Sequence, residues 1–131
     1  MARQGLTRAL AALFPPLAVL SSAHELYLRN QLDLGRTAVT DAGLKTVASL
    51  PRLAQLDLRQ TKVTDAGLES LTALKNLQTL NLVGTAVTDA GLKQLAAIKS
   101  LKSVYLWNSK ATEAGAKQLT ASIKGLKVVL K

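Results

Sequence analysis

Thr40-Asp-Ala-Gly-Leu44, Thr64-Asp-Ala-Gly-Leu68 and Thr88-Asp-Ala-Gly-Leu92 are three copies of one pentapeptide, and they recur with a period of 24. A fourth and altered copy, Thr112-Glu-Ala-Gly-Ala116, follows at the same spacing. A fixed period of this length is typical of a solenoid, in which one supersecondary unit is repeated and stacked. The repeat therefore predicts the fold class before any local propensity is considered.

Each unit reads as a strand, a turn and a helix. The strand is indicated by apolar and polar residues that alternate at the end of patterns such as Leu53-x-x-Leu56-x-Leu58. The turn carries a small hydroxyl that can bond the neighbouring backbone. That hydroxyl belongs to Thr37, Thr61, Thr85 and Ser109 in the four units.

The pentapeptide itself predicts the start of a helix. Its threonine is expected to be the N-cap, and the following acid lies in the first turn, where the helix dipole favours negative charge. Val39 and Leu44 have the spacing of a hydrophobic staple. The glycine is a poor helix former, so its recurrence indicates close backbone approach. Helices of two to three turns are expected on Leu44/Val47/Leu50 and their equivalents in the next two units.

This repeat closely resembles the leucine-rich repeat family, in its Thr-Asp-Ala-Gly-Leu subtype, which is common in bacterial repeat proteins. The subtype is related to the cysteine-containing repeats of F-box-type proteins, although this chain has neither cysteine nor room for an F-box. The clear match covers residues 32–115. The resemblance implies an α/β, right-handed solenoid, a horseshoe segment with short parallel strands on the concave face and helices on the convex face.

The two ends are expected to differ from the central repeats, because an open solenoid must cover its apolar end faces. Residues 116–131 read as a C-terminal cap, in which Leu126 stands one residue later than the period predicts. Residues 1–31 read as an N-terminal cap or degenerate repeat. Alternatively, residues 1–23, with two arginines, no acid and an apolar run before Ser21-Ser22-Ala23, form a secretory signal or a transit peptide. A cytoplasmic location is favoured, with export as the alternative, and the apolar run is too short to span a bilayer.

Composition narrows the classes of function. The 131 residues contain no cysteine and one histidine, His24, so thiolate chemistry and a histidine-based catalytic or metal site are excluded. Asp33 and Asp57 share a column of adjacent strands, about 5 Å apart, and could hold a cation, but two solvated acids explain them as well. The sequence thus predicts no enzyme, no cofactor and no metal.

Charge is unevenly distributed along the chain. The net charge of +9 divides into +2 for residues 1–90, with 9 basic and 7 acidic groups, and +7 for residues 91–131, with 8 lysines and Glu113. The simplest interpretation is a solvated end of the solenoid. The alternative is a surface for an acidic partner or a polyanion, although lysines without arginines disfavour nucleic acid.

The concave face offers the most plausible binding site. Strand residues that point away from the leucines have no core role and are free to vary. Tyr105 and Trp107 are two apart on one strand, hence on one face, and tryptophan, tyrosine and arginine dominate binding hot spots. The alternative is that both aromatics cover the last repeat against the C-terminal segment. The candidate site residues are Gln55, Asp57, Arg59, Thr79, Asn81, Val83, Ser103, Tyr105 and Trp107, with Gln31, Asp33 and Gly35 in the same columns.

The expected function is non-catalytic binding of a protein or peptide, so far unidentified, through this face. A structural role, in which the solenoid ends stack on another copy or on a larger array, is the alternative. Polyanion binding through the lysine-rich end is a weaker one.

Overall fold

A computed structural model describes residues 30–50 and 52–131 of the chain. The predictions for residues 1–29, whether a cap, a degenerate repeat or a signal, lie outside the described residues. Five strands alternate with four helices in the described part. They are β1 (Gln31–Asp33), α1 (Asp41–Val47), β2 (Gln55–Asp57), α2 (Asp65–Leu71), β3 (Thr79–Asn81), α3 (Asp89–Leu95), β4 (Ser103–Tyr105), α4 (Glu113–Ser122) and β5 (Lys127–Val129).

All strand pairs are parallel, and the order in the sheet is the order in the sequence, β1 to β5. Each strand residue pairs with its equivalent in the next repeat, as Leu32 does with Leu56 and Leu56 with Leu80. Because every crossover contains one helix, the helices form a second layer behind the sheet. The predicted α/β repeat solenoid is confirmed.

A continuous column of aliphatic side chains runs between the two layers. Leu32 is 6% exposed, Leu56 1%, and Leu80 and Val104 are fully buried. The column ends at Val128 of β5, which is only partly buried. Burying one such side chain stabilises the fold by about 1.5–3 kcal/mol, so the stacked coils hold each other in place.

The first three helices are at the short end of the two to three turns that the sequence predicts. Helices α1 to α3 have seven residues each, about two turns, and end at Val47, Leu71 and Leu95. Leu50 lies beyond the end of α1 but is still buried, as are its equivalents Leu74 and Ile98. The apolar spacing therefore marks buried positions correctly, but it extends across the turn that returns the chain to the sheet.

The threonines of the hydroxyl column close the turns after β1, β2 and β3, as predicted, whereas Ser109 Oγ accepts from Ala111 N in the turn after β4. Thr61 Oγ1 donates to the carbonyl oxygen of Leu58 at 2.7 Å, and Thr85 Oγ1 donates to that of Leu82 at 2.7 Å. Both threonines are buried, at 7% and 4% exposure. The preceding residue of each turn has a left-handed backbone, at Arg36 (φ 60), Gln60 (φ 51), Gly84 (φ 69) and Asn108 (φ 57).

The acid of the pentapeptide has a partner that the sequence did not indicate. Asp65 Oδ1 accepts from the backbone N of Thr88 at 2.7 Å, and its Oδ2 accepts from the Thr88 hydroxyl at 2.5 Å. We call this pair of bonds the Asp–Thr link. Asp41 with Thr64 and Asp89 with Thr112 repeat it with the same distances.

The Asp–Thr link corrects the predicted role of the threonines. All four occupy the N-cap position, but Thr40 and Thr64 make no side-chain capping hydrogen bond. Only Thr88 and Thr112 accept from a backbone N of their own helix, at 3.3 and 3.4 Å. The Thr64 hydroxyl donates to the Asp41 carboxylate of the preceding coil, a charged acceptor.

The C-terminal segment completes the sheet. Helix α4 has ten residues, whereas α1 to α3 have seven, and Gly125 has φ +80 in the turn that follows. The displacement at Leu126 is absorbed before β5, because Lys127 pairs with Ser103 in the register of the other strands. The region predicted as a cap therefore contributes a fifth strand.

Candidate functional site

The concave face is formed by three rows of side chains that run across the strands. In-register pairing places Gln31, Gln55, Thr79 and Ser103 in the first row and Asp33, Asp57, Asn81 and Tyr105 in the second. Strand β5 extends these rows with Lys127 and Val129, which the sequence analysis did not assign to the face. The third row, just after the strands, contains Gly35, Arg59, Val83 and Trp107.

An open hollow of about 260 Å³ lies on this face, between the first two rows. Its floor is Leu32 and Leu56, and its walls are polar. Five candidate residues line it, namely Gln55, Asp57, Thr79, Asn81 and Tyr105. The other four candidates, Arg59, Val83, Ser103 and Trp107, lie outside its lining.

The acids and the asparagine of the second row have a local structural role. Asp33 Oδ1 accepts from Gly35 N at 2.9 Å, and Asp57 Oδ1 accepts from Arg59 N at 3.0 Å. Asn81 Oδ1 accepts from Val83 N at 3.0 Å. These bonds satisfy backbone groups at the ends of β1, β2 and β3, so three of the four positions have a structural role beside any role in binding.

Arg59 lies between the two acids. Its Nε is 3.6 Å from Asp57 Oδ2, and its Nη2 is 3.9 Å from Asp33 Oδ2. A Cβ at Gly35 would stand 2.9 Å from Arg59 Cγ, so the glycine leaves room for the arginine stem. The guanidinium thus occupies the position that a bound cation would need. At these distances and exposures the pair is worth less than about 1 kcal/mol.

The basic end of the face carries the aromatic residues. Trp107 is 59% exposed and Tyr105 36%, and they are the exposed large hydrophobics of the described residues. The carbonyl of Trp107 accepts from Gly84 N at 2.9 Å, which fixes its backbone to the preceding coil. With more than half of its side chain exposed, Trp107 is not covered by the C-terminal strand.

Lysines flank this aromatic pair. Lys127 is exposed in the first row, and Lys131 comes one repeat after Trp107 in the sequence. Lys131 Nζ is 3.9 Å from Glu113 Oε1, with side chains 89% and 70% exposed, so solvent screens the pair strongly. Within residues 30–50 and 52–131, Lys127 makes no ion pair.

The described residues hold no cluster of three or more histidine, cysteine, aspartate or glutamate side chains suited to a metal ion. Nor does any helix among them have the length and apolar character needed to cross a membrane. What the face offers is hydrogen-bonding groups, two exposed aromatic rings and separated charges.

Comparison with known proteins agrees with this geometry. Residues 53–71 and 73–96 match the leucine-rich repeat family. No curated protein is similar enough in sequence to match the chain.

Two solved structures from Listeria monocytogenes are similar to the fold. Internalin C2 superposes with a TM-score of 0.62 at 24% sequence identity, covering 90% of this chain and 46% of its own. The internalin inlF superposes with a TM-score of 0.54 at 17% identity, covering 87% and 43%. The chain thus spans less than half the length of either internalin. Its described part is a solenoid that contains leucine-rich repeats.

Proposed function

We propose that this solenoid is a non-catalytic binding module, which takes a protein or peptide segment across its concave face. Repeat solenoids of this kind present extended concave surfaces to their partners. We also assign the repeats to the Thr-Asp-Ala-Gly-Leu subclass, since the Asp–Thr link and the adjoining glycine give the threonine, aspartate and glycine of that pentapeptide a role.

One observation carries the proposal. Tyr105 and Trp107 are exposed, lie on the same face and contribute nothing to the buried column. Two exposed aromatic side chains two residues apart form an apolar patch, and tryptophan and tyrosine are the residue types that anchor interfaces.

The hollow supports the same face. Gln55, Thr79 and Asn81 place amide and hydroxyl groups beside Tyr105, and the hollow is open to solvent. A partner main chain lying over it would find donors and acceptors next to an aromatic anchor, the combination of polar groups and apolar contact that binding sites use.

A random-peptide display library, selected on the immobilised protein, tests the proposal. Peptides recovered on the wild-type protein should bind Trp107→Ala at least about 30-fold more weakly, which corresponds to about 2 kcal/mol. The matched control is Lys75→Ala, an exposed position away from the face, which should leave affinity unchanged. Selected peptides that bind Trp107→Ala as tightly as the wild type would place the site elsewhere.

Stacking through the solenoid end is a second candidate, because the end of the aliphatic column is open. Val128 and Leu130 are only partly buried, whereas their equivalents Val104 and Leu106 are 0% and 1% exposed. A second copy seated on β5 would bury both. Light scattering should then show a dimer whose fraction rises with concentration and falls in Leu130→Lys. A monomer at all concentrations removes this candidate.

A further inference from the structure

We propose that the segment bound on the concave face is acidic and carries an apolar side chain. The apolar side chain rests on Tyr105 and Trp107, and an acidic side chain faces Lys127. This inference rests on the proposed function and specifies the chemistry of its partner.

The first step is the balance of charge across the face. At the β1–β2 end, the carboxylates of Asp33 and Asp57 share the guanidinium of Arg59 at 3.9 and 3.6 Å. At the β4–β5 end, Lys127 has no ion pair in the described part of the chain. Among the charged residues of the first two rows and Arg59, the one without a close counter-charge is therefore Lys127, one strand from Tyr105.

The second step is the surrounding potential. From residue 102 onwards the chain carries six lysines and one acid, Glu113. Charges of one sign on one end of a surface raise the local concentration of the opposite charge and steer its approach. An acidic partner is therefore attracted to the same end that offers Trp107 for apolar contact.

The third step is length. Five strands spaced by about 4.8 Å span about 19 Å from β1 to β5. An extended segment rises about 3.3 Å per residue, so about six residues cross the whole face. Such a segment can place an acidic group at Lys127 and an apolar side chain at Tyr105, one strand away, while its polar main chain lies over the hollow.

A peptide fits this site better than a nucleic acid. The cations beside the aromatics are lysines, and the one arginine of the three rows, Arg59, is engaged by two acids. Recognition of phosphates and bases relies heavily on arginine forks and on stacking with several bases. Two aromatic rings on a short sheet are enough for one apolar anchor.

Trp107 itself reports the binding, because it is the single tryptophan in the chain. The probes are an acetylated octapeptide of six glutamates around two central leucines, the same peptide with lysines for glutamates, the same peptide with serines for leucines, and an eight-nucleotide oligothymidine. The acidic leucine peptide should give a saturable blue shift of Trp107 emission. The lysine peptide should give none, and the serine peptide should bind at least tenfold more weakly.

Charge reversal at Lys127 then locates the contact. Lys127→Glu should weaken the acidic peptide at least tenfold, whereas Lys75→Glu, with the same change of charge at an exposed site away from the face, should change affinity less than twofold. If Lys127→Glu disturbs β5, shown by circular dichroism, Lys127→Gln serves instead and should weaken binding at least threefold. Affinity should also fall as salt is added.

The proposal is overturned by no saturable shift with the acidic peptide, by equal binding of the lysine peptide, or by tighter binding of oligothymidine. Its failure is distinguishable from failure of the proposed function. Library-selected peptides that depend on Trp107 but are neutral or basic would overturn the acidic partner alone. Selected peptides that bind independently of Trp107 would overturn both.

Discussion

The Asp65 carboxylate accepts two hydrogen bonds from Thr88 of the next coil, one from the backbone N and one from the hydroxyl. It joins the first turn of α2 to the N-cap of α3. A Cβ at Gly91 would clash with Asp65 Oδ1 and stand 2.9 Å from Leu68 Cδ1. The aspartate, threonine and glycine of the repeat thus form one contact between neighbouring coils.

Replacing Gly91 by alanine should destabilise the protein. In an ordinary helix this change stabilises by about 0.5–1 kcal/mol, but here the new methyl group meets a carboxylate held by two hydrogen bonds. We expect a loss of about 1–3 kcal/mol in the free energy of unfolding, the usual cost of overpacking. Urea denaturation followed by circular dichroism measures it.

A double-mutant cycle identifies the cause. In an Asp65→Ala background the carboxylate is absent, so Gly91→Ala should cost much less than it does in the wild type. Equal costs in the two backgrounds would mean that the glycine is required for a reason other than the Asp–Thr link.

Acidification should weaken the last Asp–Thr link. The hydrogen bond from the Thr112 hydroxyl, then that from its backbone N, hold the pKa of Asp89 below its ordinary value, with Lys93 assisting and slight desolvation opposing. A carboxylate with a lowered pKa contributes stability above its unfolded pKa of about 3.9, and this is lost as the pH falls through the folded pKa. Asp89→Asn should therefore be less stable than the wild type near neutral pH, and the difference should shrink below about pH 4.

Denaturation midpoints over this pH range provide the measurement. Glu69→Gln is the control, because Glu69 is exposed and its carboxyl takes part in no hydrogen bond in the described residues. It should follow the wild type at every pH. A difference in stability between Asp89→Asn and the wild type that stays constant down to about pH 3 would contradict a stabilising role for the Asp89 carboxylate.

Gln60→Gly should stabilise the turn after β2. Gln60 has φ 51, a left-handed backbone that costs a side-chain-bearing residue about 1 kcal/mol, and glycine already occupies the equivalent position 84. The change also removes an exposed bond from Arg36 Nε to Gln60 Oε1, which offsets part of the gain. We expect a higher melting temperature. Lys62→Gly, two residues away and without positive φ, should lower the melting temperature. A lower melting temperature in both variants would refute the argument.

Truncating the aliphatic column should cost most at its centre. Leu80 is fully buried between coils, so Leu80→Ala should lose about 3 kcal/mol or more. Leu130→Ala makes the same chemical change at the partly buried end of the adjacent column, which contains Leu82 and Leu106, and should lose about 1 kcal/mol. Denaturant titration of both variants tests this, and similar losses would mean that the end of the column is covered.

The sequence predicted the architecture because equivalent residues recur in every coil. An assignment made in one coil therefore applies to the others. Parallel strands, the buried spine around Leu32, Leu56 and Leu80 and the hydroxyl turn all follow from the period and residue type. The fifth strand was missed because α4 is longer than the other helices. Leu126 is therefore one residue later than the 24-residue period predicts, and the repeat is difficult to recognise just before β5.

The contacts between coils were less accessible to sequence analysis. Asp65 was explained by the dipole of its own helix, and its bonds to Thr88 appear only when the coils are stacked. A signal existed, since each aspartate of the pentapeptide is followed, in the next copy, by a threonine and a glycine at fixed positions. Likewise, Arg59 was predicted as one of the residues of the concave face, and its position between Asp33 and Asp57 appears only when the coils are stacked.

The Asp–Thr link also bears on how such a chain can change its length. Asp41 and Asp65 present the same acceptor, and Thr64 and Thr88 present the same donors. Removal of one whole repeat would bring Asp41 against Thr88 and form an identical Asp–Thr link. Duplication of a repeat would do the same. Genes that encode such repeats can therefore gain or lose whole repeats by recombination without needing a new contact between coils.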